Sequence, residues 1–477
     1  METMTRIPEV TLTDANVKRC FDAAVRNLVR INTVPCDFSV YNDTGLLNPA
    51  VPYMFRAGGS YDTPWTRDAA INTWACGRLL LPRVARNTLL AVCVRDTEGR
   101  PIIQPDNQKW DRIVWAVGAW NYYLATGDQA FLAIACGVVE RGLEQTGREQ
   151  FNEEFGLFTG GSFFNDGISG YPADIYEPGM DHSFMGAHPR TEDIMCLSTN
   201  CLYCEAYRIL ARMQALLGQD DSLAMQRHRA LRQRILEAFR VDSQDRWGYF
   251  LYPDGRLEES LELAGVTFGV LFGILPDRAL DSVHEERWGV PSIWPPFPGV
   301  SSEERPCRHN NLVWPFLNGF YIQAAAGAGD HCRVTRELEK ITRLFTGSDG
   351  VFYEIYNPYD GSVDGGWQIG GDDLQGHLWD SCVDQTWSAT SYIGAILHGI
   401  LGIRIGEDGV EVRPSIPVNL ADSAVENLQI RDRQFSLRIR GSGSRVASVS
   451  VNGQGREEPR ISFDEEADRF EIVVTME

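Results

Sequence analysis

The spacing of apolar residues changes once along this chain, just after Ile403. Up to that point they recur mainly every three or four positions, as on one face of a helix, whereas beyond it they alternate, as in strands. A run of helices followed by a run of strands is typical of separate helical and β-rich parts. We therefore predict a mainly α protein, with a helical domain over residues 1–403 and a small β-rich domain over residues 404–477.

The helical part contains several apolar stripes. One consists of Ile113, Val117, Trp120 and Leu124 and ends at Gly127. The others are Leu223, Leu231, Ile235 and Phe239, with Ser222 as the expected N-cap; Val334, Leu338, Ile341 and Leu344; and Ile393, Ile396, Leu397 and Ile400. Twelve helices sharing about 400 residues would have about 33 residues each with their loops, which suits ordinary helix lengths. This arithmetic is compatible with a helical barrel.

The C-terminal part shows the alternation of half-buried strands. The alternating pairs and triplets are Val410 and Val412; Phe435, Leu437 and Ile439; Val449 and Val451; and Phe470, Ile472 and Val474. Asn452-Gly453 follows one of these runs and is a hairpin signal. An element of this size is too small for an elaborate active site, so we expect it to flank the helical domain as a structural part.

The charge of the chain excludes some partners. It has 44 Lys and Arg against 65 Asp and Glu, a net charge of −21. Nucleic acids and anionic membrane surfaces are bound through clustered basic residues, so we expect neither as a partner. The hydrophobic fraction of 43% is ample for a packed core.

The cysteines and the N-terminal segment favour a cytoplasmic protein. Eleven cysteines are an odd number scattered along the chain, which suits buried free thiols better than a disulfide framework. Residues 1–14 carry no apolar signal core, and no run of about 18 apolar residues occurs. The eight histidines show no HExxH spacing, so we expect no metal and no cofactor.

Long loops rich in Gly, Pro and aromatic residues separate the helices. They cover residues 53–68, 156–190, 294–311 and 347–380. Structureless segments of this length are uncommon unless they are functional. We therefore expect the loops to build a site on the helical barrel.

The first motif in these loops is Trp65-Thr66-Arg67-Asp68, just before a helix expected over residues 69–81. A carboxylate and a guanidinium next to an indole suit a sugar, through bidentate hydrogen bonds to neighbouring hydroxyls and stacking on the ring. The alternative is a capping group at a helix start.

The second motif is residues 177–183, Glu-Pro-Gly-Met-Asp-His-Ser. Asp181 could serve as a general acid if its surroundings raised the pKa of its carboxyl group. Asp166, in the same loop, is the rival for this role. Either residue could instead be a turn-forming aspartate.

The third motif is residues 353–361, Tyr-Glu-Ile-Tyr-Asn-Pro-Tyr-Asp-Gly, followed by Gln385-Thr-Trp-Ser-Ala at a helix start. Glu354, among aromatic residues, could hold a water for attack on an anomeric carbon. The alternative is a solvated loop carboxylate. Asp181 and Glu354 are far apart in the chain, so only the fold can bring them together.

Taken together, the motifs resemble those of known glycoside hydrolases. Residues 177–183 resemble the trehalase segment whose Asp is the general acid, and a similar Gly-Met-Asp-Asn-Ser pattern occurs in mannosylglycerate hydrolases and processing α-glucosidase I. Residues 354–361 with 385–389 are similar to the segment carrying the general base in that group. Residues 65–69 resemble the glucoamylase motif that binds the terminal sugar, and residues 311–318 resemble a Trp-Pro-x-x-Asn helix lining the sugar pocket.

This resemblance implies a six-hairpin α/α barrel and an inverting, exo-acting hydrolase of a small, α-linked carbohydrate substrate. Asp181 would be the general acid, Glu354 the general base, and Asp166 the rival acid. The expected substrate-binding residues are Trp65, Arg67, Asp68, Trp110, Asp111, Arg190, Trp314, Asn318 and Trp387. Phe184-Met185 replaces the Arg that follows the motif in trehalases, and Arg190 is the nearest substitute.

Three alternatives remain open from the sequence. A disaccharide phosphorylase on the same barrel would need basic groups near Glu354, where the loop instead contains Asp360, Asp364, Asp372 and Asp373. A sugar epimerase would use a histidine pair, for which His182 and His377 are available. A non-catalytic sugar-binding protein is the third.

Overall fold

A computed structural model describes residues 7–105, 108–241, 246–369 and 376–477. Its α-helices are α1 Ala15–Arg26, α2 Phe38–Tyr41, α3 Thr66–Asn72, α4 Arg78–Leu80, α5 Pro82–Ala91, α6 Asp111–Thr126, α7 Gln129–Glu149, α8 Leu197–Leu216, α9 Ser222–Ala238, α10 Leu263–Leu271, α11 Pro315–Gly327, α12 His331–Gly347 and α13 Thr386–Gly394. π-helical turns over Asn27–Ile31, Thr73–Gly77 and Ala395–Ile400 lengthen α1, α3 and α13. No helix in these residues is both long and apolar enough to cross a bilayer.

Six helices form a closed inner ring. In order around the ring they are α3, α6, α8, α10, α11 and α13, and α13 returns to pack against α3. An outer layer covers this ring with α5, α7, α9, the 3₁₀ turn Asp277–Ser282, α12 and α1. The predicted six-hairpin α/α barrel is confirmed.

The residues of the inner ring explain why it closes. The inner helices α10, α11 and α13 are buried on nearly every side, and their small residues permit close contact between helices. Gly118 lies against Ala70 and Gly319 lies against Ser391, so a Cβ at either glycine would meet the neighbouring helix. The outer helix α12, in contrast, has one buried stripe, which includes the predicted Val334, Leu338, Ile341 and Leu344.

The strands are short within the barrel part and longer at the C-terminus. They are β1 Glu9–Thr11, β2 Thr33–Pro35, β3 Tyr53–Phe55, β4 Cys93–Arg95, β5 Pro101–Ile103, β6 Phe151–Asn152, β7 Leu157–Phe158, β8 Met195–Cys196, β9 Phe250–Leu251, β10 Leu257–Glu258, β11 Leu261–Glu262, β12 Ile293–Trp294, β13 Trp367–Gln368, β14 His377–Leu378, β15 Ile403–Ile405, β16 Gly409–Val412, β17 Ala424–Ile430, β18 Arg433–Arg440, β19 Val446–Val451, β20 Gln454–Arg456, β21 Arg460–Ser462 and β22 Arg469–Met476.

The C-terminal strands form two sheets. One has the order β1-β17-β18-β22-β19-β20, in which only the β18–β22 pair is parallel, and the other has the order β15-β16-β21. Apolar side chains of both sheets, including Val410 and Phe435, line one small shared space. Asn452 and Gly453 both have positive φ and turn β19 into β20, as the hairpin signal predicts.

Two details of the sequence prediction are wrong. Ser222 is the first residue of α9 rather than its cap, because the Ser222 N–H is bonded to the Asp220 carboxylate and Asp221 occupies the cap position. Leu223 belongs to the predicted stripe but is 66% exposed, since this first turn extends beyond the helices that bury Leu231 and Ile235. Terminal turns are where sequence periodicity is least reliable.

We expect a chain that ends after residue 403 to be much less stable than the full chain. The N-terminal β1 pairs with β17, and Val10 and Leu12 are buried there. Arg431 also donates its backbone N–H to Ala125 at the end of α6. Exposure of Val10 and Leu12 alone costs roughly 3–5 kcal/mol. Thermal unfolding of the truncated and full chains measures the loss, and equal midpoints would show that the sheets are independent of the barrel.

Candidate active site

A cavity of about 400 Å³ lies at the N-terminal end of several inner helices. Its lining residues are Ala57, Tyr61, Trp65, Arg67, Asp68, Pro105, Gln108, Asp111, Asp166, Glu354, Gln385 and Trp387. They come from the first turns of α3, α6 and α13 and from the loops that precede or face those turns. The partial positive charge of helix N-termini therefore faces a group of carboxylates.

The fold brings seven of the predicted site residues together. Trp65, Arg67, Asp68, Asp111, Asp166, Glu354 and Trp387 all line the cavity. The helix of the first motif begins at Thr66, so Arg67 and Asp68 lie within its first turn rather than before it. Trp65 occupies the cap position without a side-chain hydrogen bond to the helix. The capping interpretation of this motif therefore has no support in the geometry.

Three other predicted residues lie behind the lining. Trp110 and Trp314 are each 1% exposed, and the Trp314 ring packs edge-on against Trp387 with centroids 5.9 Å apart. Asn318 is fully buried, where its amide oxygen accepts from Val290 N–H at 2.8 Å and its amide nitrogen donates to Val290 O at 3.1 Å. These three side chains are buried and are not among the residues that line the cavity.

Asp181 and Arg190 are not among the lining residues either. Asp181 is exposed on the loop between Tyr176 and Phe184. Arg190 is also exposed and donates to the carbonyl oxygens of Asp174 at 2.8 Å and Tyr176 at 3.3 Å, so it braces the start of this loop. Arg190 therefore does not line this cavity, and its Nη1 is engaged by those two carbonyls.

Glu354 is held by an arginine that the sequence did not indicate. It is 5% exposed, and its Oε2 accepts from Arg308 Nη2 at 2.6 Å. The other guanidinium nitrogen, Nη1, donates to Gly365 O at 3.1 Å. Tyr61 also lines the cavity, where the negative charge of Glu354, with burial, raises the pKa of its phenol well above the usual range. A fixed carboxylate beside a protonated phenol is an arrangement that can hold a water.

Asp166 occupies the wall of the cavity between Arg67 and His309. Its Oδ2 lies 3.5 Å from Arg67 Nη1, and its Oδ1 lies 2.9 Å from His309 Nε2. Burial, with the charges of Arg308 and Arg67, lowers the pKa of His309 well below its usual range, so this imidazole is neutral. The Arg67 guanidinium also lies over the Trp387 ring, 5.2 Å from its centroid. Asp166 and Trp387 together fix the position of Arg67.

A buried network holds the turn that carries Asp166. Glu262, 1% exposed at the start of α10, accepts hydrogen bonds from the hydroxyls of Ser162 and Ser198. Asn165 donates to the Tyr249 hydroxyl at 2.9 Å, and Phe164 has the unusual φ of 57°. Burial raises the pKa of Glu262 to about 7, since no cation offsets its desolvation. These hydrogen bonds hold the strained turn in place and so fix the position of Asp166 in the cavity wall.

Asp68 is the most perturbed carboxyl group in the cavity. It is 3% exposed, and its Oδ1 has no hydrogen-bond partner among the described residues. Burial raises its pKa to about 7, with Arg67 opposing the shift and Glu354 adding to it. A buried acceptor without a partner costs stability unless a ligand satisfies it. Asp68 is therefore suited to accept a hydrogen bond from a substrate hydroxyl.

We expect Asp68→Asn to stabilise the protein at pH 8 while it abolishes substrate binding. Because burial raises the Asp68 pKa from 3.8 to about 7, its contribution to stability is full below pH 3.8 and lost as the pH rises through about 7. The neutral amide removes this penalty, worth up to about 4 kcal/mol. Thermal unfolding at pH 5 and pH 8 should show the larger gain at pH 8, because only about a third of the penalty is present at pH 5. An equal change at both values would contradict the assignment of the shift to Asp68.

Four cavity contacts escaped the sequence prediction. Arg308 and His309 come from the loop before α11, which was recognised only as a long loop. Tyr61 precedes a recognised motif and Gln385 begins one, but neither was predicted to contact substrate; the buried Gln385 Oε1 has no hydrogen-bond partner within the described ranges. The signal for Tyr61 was its position four residues before Trp65 in an aromatic-rich loop. Asp372 and Asp373, which entered the argument against a phosphorylase, lie outside the described residues.

Solved structures with the same fold include several carbohydrate-active enzymes. A sialidase matches with a TM-score of 0.68 and 15% identity over 98% of this chain and 41% of its own. A mannosylglycerate hydrolase of family GH63 from Thermus thermophilus, in complex with glucose, matches with a TM-score of 0.54 and 14% identity, over 80% of this chain and 99% of its own. A GH78 rhamnosidase of a Bacillus species matches with a TM-score of 0.52 and 16% identity, over 91% of this chain and 42% of its own.

The chain thus spans about two fifths of the sialidase and the rhamnosidase that it matches. Comparison with curated protein sequences gives no match. A family model for the mannosylglycerate hydrolase MGH1-like glycoside hydrolase domain matches residues 112–388, which is more than half of the chain and includes Asp166, Asp181 and Glu354. The chain therefore belongs to the mannosylglycerate hydrolase MGH1-like family of glycoside hydrolase domains.

Proposed function

We propose that the protein is an inverting, exo-acting hydrolase of an α-linked disaccharide, small oligosaccharide or glycoside. The observation that carries this proposal is that Glu354 and the pair Arg67–Asp68 line one cavity of about 400 Å³. That volume suits a small ligand, and the mixture of aromatic rings with a few fixed polar groups suits a sugar. In this scheme Arg67 and Asp68 anchor the terminal sugar.

Glu354 acts as the general base. Its Oε2 is committed to Arg308, which leaves Oε1 to take a proton from the attacking water. As the water oxygen bonds to the anomeric carbon, its proton passes to Glu354, and the bond to the leaving oxygen breaks. Tyr61, next to Glu354, donates a hydrogen bond to the same water. Attack from the face opposite the leaving group inverts the anomeric configuration.

Asp181 supplies the proton to the leaving oxygen once its loop closes over the cavity. The C-terminal end of this loop is already attached beside Asp166: Ile168 N–H donates to Ser183 O, and Met185 N–H donates to Asp166 O, both at 2.8 Å. Asp181 stands four residues before Met185, a reach of about 13 Å along extended chain. Catalytic contacts often form only in the substrate complex, so exposure of Asp181 in the open form does not exclude this role.

Asp166 is the runner-up for the general acid. It lines the cavity, but its Oδ2 already faces the charged guanidinium of Arg67 at 3.5 Å, and its Oδ1 lies 2.9 Å from the His309 ring. A general acid needs a proton of its own to donate, and this setting instead suits an acceptor. We assign Asp166 to holding Arg67 in place.

Hydrolysis of α-linked disaccharides and aryl glycosides, with the released anomer followed by NMR, tests the proposal. We expect the β anomer to appear first, in buffer free of phosphate. Release of the α anomer would show retention and remove the inverting assignment. Absence of turnover on the whole panel would contradict the proposed function.

A phosphorylase is the second candidate, because the fold brings a cation to Glu354. The loop of Glu354 lacks Lys and Arg, but Arg308 arrives from a different loop. Both of its terminal nitrogens are engaged, by Glu354 and by Gly365 O, and this favours water over phosphate as the nucleophile. A rate that depends on added phosphate, with a sugar phosphate as product, would support the phosphorylase instead.

The cysteines support a reducing compartment such as the cytoplasm. All eleven are free, and all but Cys332 are buried. Burial raises the pKa values of several, including that of Cys36 to about 11, so these thiols are poor nucleophiles. The described part of the fold thus contains no disulfide bond that an oxidising compartment would have to form.

A further inference from the structure

A second cavity of about 680 Å³ adjoins the active site and is strongly acidic. We call it the acidic cavity. Its lining includes the carboxylates of Glu303, Glu304, Asp360, Asp364 and Asp380 and no lysine, arginine or histidine among the described residues. None of the five carboxylates forms an ion pair within the described part of the chain. Each therefore contributes an uncompensated negative charge to the cavity.

The wall between the two cavities is thin. Tyr353 lines the acidic cavity, and its neighbour Glu354 lines the active site. Arg308 spans the wall, with one guanidinium nitrogen on Glu354 and the other on the carbonyl of Gly365, which lines the acidic cavity. A ligand held against Glu354 therefore experiences the charges of both cavities. The protein wall between them has a low dielectric constant and screens the electric field of these charges only weakly.

The active-site cavity itself is also acidic. Four carboxylates line it, those of Asp68, Asp111, Asp166 and Glu354, against the single guanidinium of Arg67 among the described lining residues. The nearby cations are committed elsewhere: Arg308 to Glu354, and Lys109 to Glu192. The neighbouring sequence at positions 106–107 and 370–375 contains no Lys or Arg. Arg67, which already faces Asp166 at 3.5 Å, is thus the one cation that the described lining offers to a carboxylate of a ligand, and four carboxylates oppose it.

We infer that the substrate carries no negative charge, either on the sugar held by Arg67 and Asp68 or on the group that leaves. This inference rests on the proposed hydrolase function and narrows its substrate class to neutral or amine-bearing glycosides. A uronic acid ring or an acidic leaving group would enter a field of like charge whose one cation, Arg67, already faces Asp166, and this costs affinity and slows association.

The apolar residues of the acidic cavity fit the same substrate class. Trp379 is 44% exposed, Leu378 is 61% exposed and Val363 is 41% exposed, and all three line this cavity. An exposed indole among carboxylates suits the C–H face of a sugar, whose hydroxyls donate to the acids, or an ammonium group through cation–π attraction. Arg305 lies over Trp367, 5.4 Å from the ring centroid, so this base is held beside the lining rather than within it.

The test compares three glycosides of the same sugar that differ only in the leaving group: glycerol, glycerate and an aminoalkyl alcohol. We expect kcat/KM to be at least roughly tenfold lower for the glycerate compound than for the glycerol compound. The difference should shrink in high salt, because ions screen the field. Equal or faster hydrolysis of the glycerate compound would overturn the inference and leave the hydrolase intact.

Variants locate the effect in the acidic cavity. Glu304→Gln combined with Asp360→Asn should raise kcat/KM for the glycerate compound relative to that for the glycerol compound. Asp432→Asn, at an exposed carboxylate far along the chain in the β17–β18 turn, is the matched control and should change neither. An equal gain in the control would show a general charge effect and contradict the assignment to this cavity.

A binding measurement separates this inference from the proposed function. If no glycoside is hydrolysed, the proposed function fails, but saturation-transfer NMR with glucose and glucuronate, and with mannose and mannuronate, still tests the charge preference. We expect signal from a neutral sugar and none from its uronate. The inference would be overturned if a uronate bound at least as tightly as its neutral partner. It would also be overturned if none of the four sugars bound.

Discussion

Glu354→Gln should lower kcat by roughly 10²–10⁴-fold on every substrate, whatever its leaving group. The amide keeps the size of the side chain and can still accept a hydrogen bond from Arg308, but it cannot take a proton from water. Deprotonation of the nucleophile is needed with good and poor leaving groups alike, so an activated aryl glycoside or glycosyl fluoride should be impaired as strongly as a disaccharide. Initial rates on both substrate types measure the effect.

A small anionic nucleophile should partly restore this variant. Azide needs no deprotonation, and it fits where the water of the wild-type protein would stand; a glycosyl azide of inverted configuration is the expected product. Glu205→Gln is the matched control, because Glu205 is likewise 5% exposed and bonded to an arginine, Arg208, but lies on α8 away from the cavity. Equal losses in both variants would point to a general effect of breaking a buried ion pair.

The sequence predicted those parts of the site that lie at helix starts. Arg67, Asp68 and Trp387 belong to inner helices, and their place in the first turn follows from the position of each apolar segment. The same local rule identified the strands after Ile403, because alternation records burial on one face of a sheet. These predictions needed no knowledge of how distant segments meet.

Local sequence patterns could not predict the contacts that loops make with distant parts of the chain. Arg308 and Glu354 are 46 residues apart in the chain, and Asp166, which lies beside His309, is on a turn that Glu262, just before α10, holds through Ser162. Trp314 illustrates the opposite error: its motif places it at the start of α11, yet its ring lies behind Trp387. The spacing of residues along one helix predicts the face of the helix on which a residue lies. How deeply that residue is buried depends on the neighbouring helices.

We expect Asp181→Asn to lose most of its activity on substrates with poor leaving groups and much less on activated ones. The proposed role of Asp181 is to protonate the leaving oxygen, and a fluoride or an activated aryl oxide departs with little help. The expected loss is roughly 10²–10⁴-fold for a disaccharide. The diagnostic quantity is the rate on an activated substrate divided by the rate on a disaccharide. Glu354→Gln should leave this ratio nearly unchanged, whereas Asp181→Asn should raise it strongly.

Asp166→Asn distinguishes the two candidate acids. If Asp166 only holds Arg67, its amide should raise KM for both substrate types equally, since Arg67 then loses a charged partner 3.5 Å away and the sugar loses its anchor. His182→Ala serves as the control for the loop, because it alters the residue next to Asp181 without removing a carboxyl group. A leaving-group dependence in Asp166→Asn, together with near-normal turnover in Asp181→Asn, would transfer the acid role to Asp166. Normal turnover in both variants would contradict the trehalase-like interpretation of residues 177–183.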